Sequence, residues 1–131
     1  MSAAGALALN ACAQVSPLRN GITTASGAPK AYVVAEIDVT DLNAYREYVA
    51  AAFPIIQKYG GRFLTRGGTT IAVEGAPPAQ RVMIIEFRDL DAAKAFEYSA
   101  EYIAITELRQ SSSNSRIYLV EGAADVSAAA P

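Results

Sequence analysis

Arg66 stands directly before Gly67 and Gly68 in the run YGGRFLTRGG, Tyr59 to Gly68. A guanidinium beside backbone that carries no side chains lets a ligand approach both, and its planar fork fits a carboxylate or an enolate bidentately. Glu86 lies in RVMIIEF, the most apolar strand-like stretch of the chain. A carboxyl buried in such a stretch is pushed up in pKa and becomes a candidate general base. Arg66 and Glu86 are therefore the candidate catalytic residues, one to stabilise an oxyanion and the other to move a proton. Tyr32, Glu36, Arg116 and Tyr118 place phenolic and charged groups in otherwise apolar segments. With Arg66 they form the candidate ligand-binding set. A plainer reading stands beside each assignment. Arg66 can form an ion pair with a carboxylate such as Glu86. Glu36 with Arg116, and Glu86 with the segment Arg62 to Leu64, can be cross-strand pairs that stabilise by about 0.2–1 kcal/mol each.

Composition bounds what these residues can belong to. A chain of 131 residues, 52% hydrophobic and 18% charged, is long enough for one globular domain. The net charge of −2 comes without a basic stripe, which argues against nucleic-acid binding. Histidine is absent and Cys12 is the single cysteine. This excludes a His-based triad and the usual zinc and haem ligation, so no metal site is expected. Phosphate-cradling glycine motifs are missing as well, so no cofactor is expected. No apolar run is long enough to span a membrane.

The elements that must position the candidates follow from periodicity. Residues 1–30 read as a flexible N-terminal segment, small and apolar through MSAAGALALNACAQ and then polar with glycine and proline. Two readings stand for its first part: a tail, or the end of an export signal truncated of its basic region. The first implies a cytoplasmic protein, the second a periplasmic one. The folded domain spans 31–122, and 123–131 reads as a disordered tail. AYVVAEIDV is a strand. Thr40 or Asp41 caps a helix whose apolar face is Leu42, Tyr45, Val49, Ala52, Phe53 and Ile56, with Pro54 expected to kink or split it near Ala50. Gly60-Gly61 ends it. RFLTR and TTIAVEG read as one strand interrupted by Gly67-Gly68 at a bulge. RVMIIEF is the clearest strand. Asp89 caps a second helix, Ser99 recaps it, SSSNS is a loop, and RIYLVEG is the last strand.

The order β-α-β-β-α-β is the α+β ferredoxin-like unit, a four-stranded antiparallel sheet with its helices on one face. Parity along the strands sorts the residues. Val33, Ala35, Ile37, Met83, Ile85, Phe87, Ile117 and Leu119 belong under the helices. Tyr32, Val34, Glu36, Val82, Ile84, Glu86, Arg116, Tyr118 and Val120 share the other face. That face is too apolar for water and too charged for a simple core. A sheet-to-sheet homodimer with a polar pocket accounts for both properties.

YGGRFLTRGG, VMIIEF, SAEYIAITELRQ and SRIYLVEG, in this order with Asp41, Tyr45 and Glu121-Gly122, resemble the domain-of-unknown-function family 1330, over about Lys30 to Ala123. The resemblance implies a dimeric α/β barrel, in which two protomers close their open sheet faces. The wider group includes cofactor-free monooxygenases of phenolic and quinone-like substrates, muconolactone isomerases and haem enzymes, the last set aside here for want of histidine. Members with exported leaders also occur. The chain departs from the family pattern at Phe96, where Trp is common, and at Ala100, where Pro is common. The resemblance also implies that Gly67-Gly68 bend the strand at the barrel rim and aim Arg66 at the cleft between sheet and helices. Tyr98 and Tyr102 can line a pocket or simply pack. Three functions remain open: a binding protein for a small organic molecule in a cleft at the sheet, a cofactor-independent enzyme on an enolisable or aromatic substrate, and a structural dimerisation module.

Overall fold

The computed structural model describes residues 27–124. The N-terminal readings up to residue 26 and the tail from residue 125 lie outside the described residues. The first strand, β1 (Ala31–Val39), alternates as its valines and isoleucine require: Ala31, Val33, Ala35 and Ile37 are buried, while Tyr32, Val34 and Glu36 are half-buried. Asp41 ends the strand and starts α1 (Leu42–Lys58), its Oδ1 accepting from the backbone N–H groups of Asn43 and Ala44 at 3.1 Å each.

The buried stripe of α1 is Tyr45, Tyr48, Ala52 and Ile56. Leu42, expected on that stripe, is largely exposed, and Tyr48 takes a place there instead. The break expected at Pro54 does not occur, since α1 runs unbroken to Lys58. Pro54 and Ala50 both lie on the exposed side, so the carbonyl that proline leaves unbonded faces solvent and costs little. Gly60, at φ +84°, turns the chain out of the helix, its N–H donating to the Gln57 carbonyl at 3.0 Å.

Strand β2 (Arg62–Arg66) is short. The continuation expected through TTIAVEG does not form: residues 67–80 leave the sheet, with Ile71 and Val73 80% and 94% exposed. Gly67, at φ +77°, makes the departure. The irregularity assigned to the glycine pair lies earlier. The β2–β3 register shifts between Phe63 and Thr65. There the Thr65 hydroxyl stands in for the displaced backbone, donating to the Val82 carbonyl at 3.0 Å and accepting from the Ile84 N–H at 2.9 Å.

After β3 (Arg81–Phe87), Asp89 caps α2 (Leu90–Glu97) and Ser99 caps the single turn α3 (Ala100–Ile103). Next come α4 (Thr106–Ser112) and β4 (Ser113–Glu121). The expected SSSNS loop is absent. Ser111 and Ser112 finish α4, and Ser113 begins β4. The Ser112 and Ser113 hydroxyls donate to the carbonyls of Leu108 and Arg109 at 2.5 and 2.7 Å, so two carbonyls at the end of the helix are satisfied as it passes to strand.

The sheet order is β2-β3-β1-β4 with every neighbouring pair antiparallel, which is the ferredoxin-like arrangement. One face carries the helices and the core, with Val33, Ile37, Phe87, Phe96 and Tyr102 all 2% exposed or less. On the other face none of the residues named by parity is buried. No helix among the described residues is long and apolar enough to cross a membrane.

Candidate functional site

Between the inner face of the sheet and α1 lies a cavity of about 500 Å³, counting its open mouth. The strands supply Val33, Ala35, Met83, Ile85 and Ile117 as an apolar floor. Helix α1 supplies Tyr45, Tyr48, Ala52 and Phe53, and the α2–α3 segment supplies Phe96, Glu97 and Tyr102. Arg66, at the end of β2, completes the lining from an exposed position. Its guanidinium sits 4.8 Å from the ring centroids of both Phe53 and Phe63, which are stacked within 8° of parallel. Cation–π contact holds it there. No ion pair to Arg66 occurs among the described residues.

The polar groups inside the cavity are few and unusual. Tyr48 and Tyr102 meet hydroxyl to hydroxyl at 2.7 Å. One donates to the other, which leaves one hydroxyl proton of the pair free to donate elsewhere. The Tyr45 hydroxyl is buried without a partner, and so is Oε1 of Glu97. Burial pushes the Glu97 carboxyl up to about 7, with nearby Arg109 pulling the other way. Burial raises Tyr48 as well, reinforced by Tyr102, and raises Tyr102 with help from the Glu97 charge. Burial likewise raises Tyr45, ahead of a contribution from Tyr48. Arg109 is itself buried. Its Nη1 donates to the Ser115 hydroxyl at 2.6 Å, its guanidinium lies 5.7 Å from the Tyr48 ring centroid, and its Nε has no partner.

The remaining candidates are on the opposite, outer face. The register sets Glu36 against Arg116 and Glu86 against Arg62. Glu36 Oε2 accepts from Arg116 Nη2 at 2.6 Å, from Arg116 Nε at 3.1 Å and from the Tyr118 hydroxyl at 3.3 Å. Glu86 Oε1 accepts from Arg62 Nη2 at 2.9 Å, with the Lys30 ammonium 4.0 Å away. Tyr32 lies opposite Glu86 on β3 and Val120 on β4. Tyr32, Glu36, Glu86, Arg116 and Tyr118 therefore share one surface. Arg66 reaches the cavity, and its separation from Glu86 leaves the Arg66–Glu86 ion pair unformed.

The model of DUF1330, a domain of unknown function, matches residues 30–123. The chain belongs to this family. Solved structures similar to this DUF1330 chain include RPA0582, a protein of unknown function from Rhodopseudomonas palustris. It is 15% identical at a TM-score of 0.61, with 74% of this chain and 85% of that one covered. SnoaB, a cofactor-independent oxygenase from Streptomyces nogalater, is 14% identical at a TM-score of 0.53, with 76% and 98% covered. A Bacteroides thetaiotaomicron protein of unknown function, described as a possible oxidoreductase, is 15% identical at a TM-score of 0.51, with 73% and 100% covered. At these identities the likeness is one of fold. No curated protein matches the chain.

Three cavity residues of this DUF1330 chain escape a reading of the sequence: Tyr45 as an unpartnered donor, Tyr48 and Glu97. Their signal is spacing. Tyr45, Tyr48 and Ala52 fall on one helical face, and Glu97 follows the buried Ala93 by four residues. Of the two tyrosines considered for a pocket, Tyr102 lines it and Tyr98 is 71% exposed. Among the described residues no group of His, Cys, Asp or Glu is assembled to hold a metal ion. The cavity therefore combines an apolar floor, the Arg66 guanidinium at its mouth and a carboxyl among tyrosines in its wall.

Proposed function

We propose that this protein binds a small, mainly apolar organic molecule in the cavity between the sheet and α1. The observation that carries the reading is that two residues of its wall, Tyr45 and Glu97, each hold a buried polar atom, Oη and Oε1, with no hydrogen-bond partner. An unpaired buried polar group costs about 1–3 kcal/mol, a cost that a ligand with matching groups removes. Arg66 is assigned the anionic or enolate oxygen of that ligand. Glu36, Arg116 and Tyr118, already bonded to one another, with Tyr32 and Glu86, are assigned to the outer face, where a second copy packs to form a homodimer. The fold likeness to SnoaB is compatible with cofactor-free chemistry in such a cavity, without requiring it.

Chemical-shift mapping with 2-naphthoate and 2-tetralone tests the reading. Both aryl probes should shift the resonances of Tyr48, Phe96, Glu97 and Ile117 and saturate. Arg66→Ala should weaken 2-naphthoate about tenfold, as loss of a charge-assisted contact does, and leave 2-tetralone nearly unchanged. Shifts confined to the outer face, or none with either probe, overturn the reading.

A further inference from the structure

Resting on that reading of the cavity, we propose that Glu97 is its general base, acting on a bound ligand with a proton on the carbon beside a carbonyl group. The carboxylate takes the proton, the C–H electron pair moves onto the carbonyl oxygen, and a tyrosine hydroxyl donates to the enolate that results. Return of the proton to the same carbon completes a proton exchange, and its delivery to a conjugated carbon completes an isomerisation. The step needs neither oxidant nor reductant.

The wall of the cavity supplies both halves of this step. Glu97 lines the cavity, and its buried Oε1 accepts no hydrogen bond from the described residues, so the carboxyl is not committed to a protein partner. Donors for the oxygen are Tyr45, whose hydroxyl is unpartnered, and whichever of Tyr48 and Tyr102 keeps its proton free across their 2.7 Å contact. The tyrosines are held above their ordinary pKa first by burial, then by Tyr48 for Tyr45, by Tyr102 for Tyr48 and by the Glu97 charge for Tyr102, and they stay protonated as donors. Around Glu97 the charged and titratable groups are Arg109 from α4, Tyr102 from α3, Tyr45 and Tyr48 from α1, and Arg66 on the cavity rim. With burial outweighing Arg109, the carboxyl titrates near 7, where a base is both partly ionised and strong enough to take a weakly acidic proton. Glu86 has no such freedom: it lies on the other face of the sheet with Arg62 bonded to it.

Solvent exchange of the α-protons of 2-tetralone in D₂O, followed by proton NMR on the intact chain, tests the assignment. The protein should accelerate exchange above the buffer rate, in proportion to its concentration and saturably in 2-tetralone. The accelerated rate should rise through pH 7 and level off above it. Glu97→Gln should lower it about a hundredfold or more, while 2-tetralone still shifts Tyr48 and Ile117. Glu97→Asp, which keeps the carboxylate one methylene further back, should retain part of the rate. Tyr48→Phe and Tyr102→Phe should each reduce it with little change in probe affinity. Binding of 2-tetralone without acceleration, or acceleration that survives in a folded Glu97→Gln protein, overturns the base assignment and leaves the binding site standing. Failure of 2-tetralone and 2-naphthoate alike to bind overturns the reading of the cavity itself.

Discussion

A carboxyl that titrates near 7 in the folded protein and at about 4.5 in the open chain makes stability depend on pH. Between those values the native state holds a proton that the unfolded chain has released, so stability falls as pH rises. Glu97 contributes in full below about pH 4.5, and its contribution is lost as pH climbs through 7. The largest size of the effect is roughly 3 kcal/mol at 1.36 kcal/mol per unit, and residual solvent contact trims it towards 1–2. Asp89 and Glu101, held below the usual carboxylate range by backbone and Lys58 partners, act with the opposite sign, in more acidic solution. Urea unfolding at pH 5, 6, 7 and 8 should show a decline that Glu97→Gln flattens. Equal slopes in the two proteins would remove Glu97 as its source. Side chains on strands were legible because parity and topology set Glu36 against Arg116 and Glu86 against Arg62. Glu97 was harder to see: its spacing from the buried Ala93 is a faint signal, while the neighbours that act on it, Tyr102 and Arg109, come together only in the folded chain.

Elements join tightly where α1 hands over to β2, and Gly61 is the reason they can. A methyl group there would meet Ile56 Cγ2 at 2.7 Å, Phe87 Cζ at 2.8 Å and Ile85 Cγ2 at 3.0 Å, all side chains of the core. Gly61→Ala should therefore destabilise by about 1–3 kcal/mol, as overpacking does. Gly68→Ala, with nothing within 4 Å, should leave the unfolding midpoint almost unchanged. Similar midpoints for the two variants would contradict this picture of the junction. The type and order of the strands and capped helices are readable at this scale because Asp41, Asp89 and Ser99 supply caps and the strands keep a period of two. Residues 67–80 mislead for a physical reason. TTIAVEG has the composition of a strand, but Gly67 turns it out of the sheet before Ile71 and Val73 find a partner strand. SSSNS misleads in the opposite sense, because its hydroxyls satisfy carbonyls that a loop would have left to water.

At the scale of the molecule, helices cover one face of a four-stranded sheet and leave the other with Val34, Val82, Ile84 and Val120 around the Glu36–Arg116 and Glu86–Arg62 pairs. Tyr118 and Val120 on that face are 41% and 42% exposed. Apolar surface of this kind in one continuous patch favours association, and pairing each glutamate within its own chain removes the charge that would oppose it. Native mass spectrometry at micromolar concentration should accordingly give a species of twice 13.8 kDa. Ile84 lies on β3 opposite Val34 of β1 and Thr65 of β2, so its side chain is well inside the patch. Ile84→Glu would bury an unpaired carboxylate against the partner, a cost of several kcal/mol at an interface, and should yield a monomer. The cavity lies on the other side of the sheet, so that monomer should still bind 2-tetralone. A monomeric wild-type chain would end the case for face-to-face pairing. A monomeric variant that no longer binds the probe would mean that the partner's packing holds the cavity in shape.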